Sequence, residues 1–264
     1  MKKFTYLIFI ISIILLVISL FNTYLWFNDK NKSDELNKEL KEIAKNNSTT
    51  NNQILINPPE NMNDVYWNYV DLDFLQIDFN ELLNKNSDTV GWIQVNGTNI
   101  DYPIVQSNNN EYYLNHSFDK SINNSGWIYL DYRNNLSNLN QNNIIYGHGR
   151  IDNTMFGSLK NLLDSNWYNN SINHIIKLST INENSIWQIF SVYTILKETY
   201  YTTTYFLNDE KYEDFIKTII KRSKYDFSTS VNIDDKILTL STCKDDFGNR
   251  IVVHAKLIKK EIRS

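Results

Sequence analysis

The sequence contains one cysteine, three prolines and seven glycines in 264 residues. A single cysteine excludes an internal disulfide framework, and no His/Cys group at zinc-ligand spacing stands near it. So little glycine and proline excludes collagen-like and Pro/Gly low-complexity material. An excess of positive charge is also missing. The 26 basic and 30 acidic residues leave −4, which excludes a nucleic-acid binder relying on bulk charge. Asparagine is abundant, with 40 copies, and it tolerates left-handed backbone well enough to take over part of glycine's work in turns. The positions that keep glycine therefore carry information.

Charge is absent altogether from Phe4 to Phe27, a run of 24 residues. As a helix it would be roughly 36 Å long, enough for a hydrocarbon core of about 30 Å. The run ends in Phe21-Asn22-Thr23-Tyr24-Leu25-Trp26-Phe27, bulky and without the small-x-small pattern of a cleavage site. An uncleaved anchor is therefore expected rather than a cleaved secretory signal. Lys2 and Lys3 favour a cytoplasmic tail at residues 1–3, although Lys30 and Lys32 flank the other side. The expected location is the cell membrane, single-pass, with the body outside. Without residues 1–27 that body stands at −6.

Residues 28–64 read as a polar stalk. Leu36, Leu40 and Ile43 fall at helical spacing among alternating charges, which predicts a short solvated helix. Asn46 to Gln53 is unpatterned and polar and predicts a flexible tether ending near Pro58 and Pro59. From residue 65 to 264 the chain reads as one mixed domain. Leu72, Leu75, Phe79, Leu82 and Leu83 predict a helical face, and Glu210 to Lys224 a second helix. Met155 to Leu163 reads as a short helix. Strands are predicted over 91–95, 99–105, 126–130, 143–146, 174–178, 185–196, 237–242 and 251–258. Seven or eight strands with a few helices imply a mainly β, α+β domain built on a closed or nearly closed barrel.

Three of the seven glycines bracket chemically able residues. Gly147 and Gly149 flank His148 at a strand end, and Gly248 lies between Cys243 and Arg250. Cys243 closes the alternating run Ile237-Leu238-Thr239-Leu240-Ser241-Thr242, on the face of Thr239 and Ser241. A lone cysteine is commonly a small buried hydrophobe. An unpaired thiol outside the cell is a liability unless it is used, and the polar stretch 244–249 after it argues against burial, so a nucleophile is the better account. Such a nucleophile needs a proton partner, which histidine supplies near neutral pH. His116 and His174 read as surface or loop residues, and His254 as a packed or half-exposed strand residue. His148 is the most accessible of the four. Arg250 could stabilise an oxyanion or hold a substrate carbonyl, or else form a surface salt bridge with Asp245 or Asp246.

Thr239-Leu240-Ser241-Thr242-Cys243 followed by Arg250, with Tyr146-Gly147-His148 upstream, resembles the signature of sortases, the membrane-anchored cysteine transpeptidases of Gram-positive bacteria. Gly91-Trp92-Ile93, Asp101-Tyr102-Pro103-Ile104-Val105-Gln106, Asp131-Tyr132-Arg133-Asn134 and Met155-Phe156-Gly157-Ser158-Leu159 are similar to class B members. The resemblance covers about residues 65–260. It implies a sortase-type eight-stranded closed barrel, with N-terminal helices and a helix in the long connection before the penultimate strand. It further implies Cys243 as nucleophile, His148 as proton shuttle, Arg250 on the substrate backbone or oxyanion, and Ser241, Val105 and Tyr201 beside the substrate groove. The implied reaction cleaves a sorting motif of Asn-Pro-x-Thr type after threonine through a thioacyl enzyme. The acyl group then passes to a peptidoglycan amine on a cross-bridge or stem peptide. Partners would be secreted proteins with a C-terminal sorting signal and the lipid bilayer. No carboxylate cluster resembles the calcium site of class A enzymes, so neither metal nor cofactor is expected. A pilin-polymerising or mainly hydrolytic relative and a silent membrane-tethered binding module remain as alternatives.

Overall fold

A computed structural model describes residues 2–45, 53–56, 58–59, 61–196, 198–243 and 249–263. Among these residues nine strands form one sheet: β1 (Gln53–Ile56), β2 (Thr89–Val95), β3 (Asp101–Val105), β4 (Tyr129–Leu130), β5 (Asn142–His148), β6 (Ile175–Ser179), β7 (Glu183–Leu196), β8 (Ile237–Cys243) and β9 (Asn249–Ile262). The order β9-β7-β6-β2-β3-β4-β5-β8 closes on itself through a further β8–β9 pairing, giving the eight-stranded barrel. Closure removes the free edges that an open sheet would expose. β3 runs parallel to β4 and β5 parallel to β8, and the other pairs are antiparallel. β1 is extra. It pairs with β9 at Lys259 to Ile262, beyond the stretch of β9 that pairs with β8.

The main core includes Trp92, Trp127, Ile144, Trp187, Leu238, Leu240 and Val253, all essentially without solvent contact. Outside the β7-β8-β9 wall lies a second layer under α4 (Asp209–Lys221). This helix forms because Asn208 caps it, its side chain accepting from the Lys211 N–H at 3.0 Å, and because Asp209 and Glu210 occupy the first turn while Lys221 occupies the last. Its Tyr212, Phe215, Ile216 and Ile219 form the buried stripe.

Several expectations need correction. Leu72, Leu75, Phe79, Leu82 and Leu83 do not share one helix, since only α2 (Asn80–Lys85) is helical. Leu72 and Phe74 pack with Tyr66 and Ile258, whereas Leu75, Phe79 and Leu82 pack into the barrel core. Their spacing comes from an extended segment serving two cores in turn. Gly157–Leu163 is a 3-10 helix, and His174, expected at the surface, is nearly buried between Tyr168 and Phe227. The predicted solvated stalk is also different. α1 (Lys2–Ile43) is one unbroken helix running from the apolar segment onto the barrel. Leu40 is fully buried, and Leu36 and Ile43 pack against the main core. Burial of a leucine side chain is worth about 1.5–3 kcal/mol, so this face outweighs the helix's polar composition. Asn37 Nδ2 donates to the Asp101 carbonyl at 3.3 Å, and Lys41 pairs with the Asp101 carboxylate at 3.0 Å. The tether predicted over 46–53 falls mostly outside the described residues.

Candidate active site

β5 and β8 run in step from Asn142 opposite Ile237 to His148 opposite Cys243. Because the pair is parallel, both strands deliver their last residues to the same rim, with backbones about 4.8 Å apart. β9 lies on the other side of β8, in antiparallel register with Ser241 opposite Val252. Beyond that pair the Ile251 N–H donates to Thr242 Oγ1 at 2.9 Å, and Arg250, opposite Ile195 of β7, enters β9 from the same side of the barrel. Three adjacent strands thus carry the three residues, with His148 and Cys243 in register and Arg250 two positions before Val252, the partner of Ser241.

His148 is oriented from below. Its Nε2 lies 2.7 Å from the Leu114 carbonyl oxygen, which can only accept, so Nε2 carries a proton, and Nδ1 has no hydrogen-bond partner among the described residues. Burial pushes the imidazole below its ordinary range, the Leu114 bond works against that shift, and the Arg150 charge adds to it. Gly126 makes this contact possible. It has φ +59°, and a Cβ there would fall 2.8 Å from the Leu114 oxygen and 2.9 Å from His148 Cδ2. Only glycine occupies such a site without displacing the ring or its acceptor.

Arg250 is half-buried at the start of β9. Its Nη1 donates to the Tyr201 hydroxyl at 3.3 Å, and Tyr201 Oη is 3.1 Å from Ser241 Oγ. Since Tyr201 accepts from arginine, its proton points to Ser241, which donates to the Thr242 carbonyl at 3.2 Å. Arg250 Nε is buried and has no hydrogen-bond partner among the described residues. The alternative salt bridge to Asp245 or Asp246 falls outside the described residues. Among those residues no group of three His, Cys, Asp or Glu side chains could hold a metal.

A sortase domain model matches residues 93–258. Sortase B of Staphylococcus aureus is 39% identical over 184 residues, covering 69% of this chain and 75% of that protein. This chain belongs to the class B sortases. Solved structures agree with that assignment. A sortase B from B. anthracis superposes with TM-score 0.73 at 33% identity, covering 88% of this chain and 99% of the other. A sortase B complexed with triglycine superposes with TM-score 0.65 at 38% identity, covering 69% and 85%. Sortases are cysteine transpeptidases, and this sortase has one cysteine with which to act.

Of the residues singled out from sequence, the sortase barrel brings His148, Cys243 and Arg250 together, with Tyr201 and Ser241 supporting Arg250. Val105 stands apart. It is fully buried at the end of β3, its N–H bonded to the Ile128 carbonyl, and in this conformation it lines no open groove. His254 is fully buried in the barrel wall, with Nε2 2.9 Å from Tyr193 Oη and Nδ1 2.8 Å from Thr239 Oγ1. Burial pushes it down to about 3, so it stays neutral and structural. Sequence reasoning missed Leu114, Gly126 and the Arg133 clamp. Arg133 holds the buried Asp131 carboxylate through two bonds of 2.8 and 2.7 Å and donates to the Thr202 carbonyl at 2.9 Å, which ties the Tyr201 turn to the β4–β5 side. The available signals were a glycine following Asn123-Asn124-Ser125, a usual place for left-handed backbone, and the Asp131-Tyr132-Arg133 motif itself.

Proposed function

We propose that this sortase joins secreted proteins to peptidoglycan, with Cys243 as nucleophile, His148 as proton shuttle and Arg250 as oxyanion or substrate-backbone ligand. The β5–β8 register that sets His148 opposite Cys243 is the observation supporting this most strongly. The Cys243 sulfur attacks the threonine carbonyl carbon of an Asn-Pro-x-Thr-type motif. The thiol proton passes to His148 Nδ1, and the C–N bond breaks as that proton moves to the departing amine. A cell-wall amine then attacks the thioester, loses a proton to His148 and forms the new amide, which restores the thiol. The triglycine complex of the related sortase B supports an amine acceptor of this kind.

Ser241 and Tyr201 would set the position of Arg250 beneath the substrate, and Val105 would support the groove from the core. Residues 4–27 would span the membrane with residues 1–3 in the cytoplasm and the catalytic domain, 65–264, outside. The apolar part of α1 is long and apolar enough for that span. The test uses the full chain in detergent with a library of sorting-motif peptides and either oligoglycine or a diaminopimelate-type amine. A ligated product and a thioacyl adduct on Cys243, both absent in Cys243→Ala, are expected. Release of free acid alone in the presence of amine would favour a hydrolase, and no adduct with any peptide would overturn the reading.

A further inference from the structure

The apolar helix meets the barrel at the residue where its apolar character ends. The charge-free run stops at Phe27, and Asp29 is the first charge after it. Trp26 stacks over the Arg150 guanidinium at 5.1 Å, two residues beyond His148. The Asp29 carbonyl accepts from Asn123 Nδ2 at 3.1 Å, and its carboxylate accepts from Asn124 Nδ2 at 2.9 Å. α1 is unbroken through these contacts, so no spacer separates the apolar segment from the barrel. At 1.5 Å per residue, Asp29 lies only about 3 Å beyond Phe27 along the helix axis.

Each of the two loops that grip α1 there carries one exposed isoleucine. Ile122 precedes Asn123 and is 78% exposed, and Ile151 follows Arg150 and is 80% exposed. Isolated apolar residues on a surface are ordinary. These two, however, adjoin the residues that hold the helix at its exit, where a bilayer carrying the apolar segment must have its surface.

We propose that this rim of the barrel rests on the bilayer, with Ile122 and Ile151 seated in the lipid interface on the two loops that hold α1. The proposal depends on residues 4–27 spanning the membrane. Charges along the rim are mixed, with Asp29, Asp119 and Asp152 beside Lys120, Arg150 and Lys160. Seating is therefore driven by apolar contact and requires no anionic lipid. Its consequence is that the His148 end of the β5·β8 pair is held next to the membrane surface at a fixed height, so donor protein and amine must meet there.

The test uses the full chain, methyl-labelled at isoleucine, in phosphatidylcholine nanodiscs with and without a lipid bearing a gadolinium chelate on its headgroup. Ile122→Val and Ile151→Val assign the two signals. Ile181 is the control, because it lies near the other end of the docked helix: Arg263 joins the adjacent Asn182 to Ile77, which bridges Lys45. Methyl relaxation of Ile122 and Ile151 is expected to rise several-fold with gadolinium while Ile181 is unchanged. Rates at Ile122 and Ile151 matching Ile181, with the isoleucines of α1 strongly affected, would overturn the seating and leave the span intact. No effect in α1 either would overturn the span and the seating together.

Discussion

His148 and His254 sit in the same barrel wall on strands that both contact β8, and burial lowers the proton affinity of each. Their surroundings nevertheless give them opposite uses. His254 has hydroxyls on both nitrogens, Tyr193 on one side and Thr239 on the other, and no exposed surface. His148 stands at a strand end with one nitrogen committed to a carbonyl and the other without a partner among the described residues. The comparison teaches that burial alone does not make a proton shuttle. A shuttle needs one nitrogen fixed, so that the ring is oriented, and one unoccupied, so that a proton can move.

The strongest way to break this comparison is to exchange the two losses. His148→Gln is expected to lower kcat/KM for ligation by about 10²–10⁴-fold with little change in thermal midpoint. His254→Gln is expected to leave kcat per folded molecule nearly intact while lowering stability by about 1–3 kcal/mol, read by urea unfolding. The reverse pattern would place the proton shuttle on His254.

The second prediction concerns acid. His254 stays neutral in the fold down to about 3, whereas in the unfolded chain it takes a proton near 6.5. Between these values the unfolded state binds more protons, so stability falls as pH falls, with a slope of about 1.4 kcal/mol per pH unit. Unfolding curves between about pH 4 and about pH 6.5, within that window, should show a shallower slope in His254→Gln. An unchanged slope would mean that other groups govern acid sensitivity.

A smaller effect sharpens how His148 is oriented. Gly126→Ala places a Cβ against the Leu114 oxygen at a positive φ, costing about 1–2 kcal/mol in backbone strain. Displacement of the imidazole should lower kcat about ten- to a hundredfold while KM changes little. A change confined to stability would show that the ring tolerates the shift. The smallest effect belongs to the Arg250 side. Tyr201→Phe removes the hydroxyl between Arg250 and Ser241 and should cost about 0.5–1.5 kcal/mol in kcat/KM, a factor of about 2–10. Ser241→Ala in the Tyr201→Phe background should add little more, because the two act through one chain of hydrogen bonds.

Much of the barrel is legible in the residues. Alternation in Ile237 to Thr242 and the long apolar runs at 185–196 and 251–258 mark β8, β7 and β9, since a strand buried on one or both faces must write that pattern. β1 escaped because its side chains are exposed and its pairing with β9 is held by backbone. The docked part of α1 escaped because Leu36, Leu40 and Ile43 among charges look the same on a free amphipathic helix as on one packed against a barrel.

The sequence by itself determined that an apolar helix precedes a β-rich body and that one cysteine, one glycine-flanked histidine and one arginine are candidates for a single chemistry. Short-range composition and spacing are sufficient for such statements. The tertiary structure alone decided that His148 stands in register with Cys243 and that Arg250 opens the strand beside them, because strand register is a long-range property. It also decided which nitrogen of His148 is held, because a backbone carbonyl such as that of Leu114 has no signature in the sequence and gains meaning only through what folds against it.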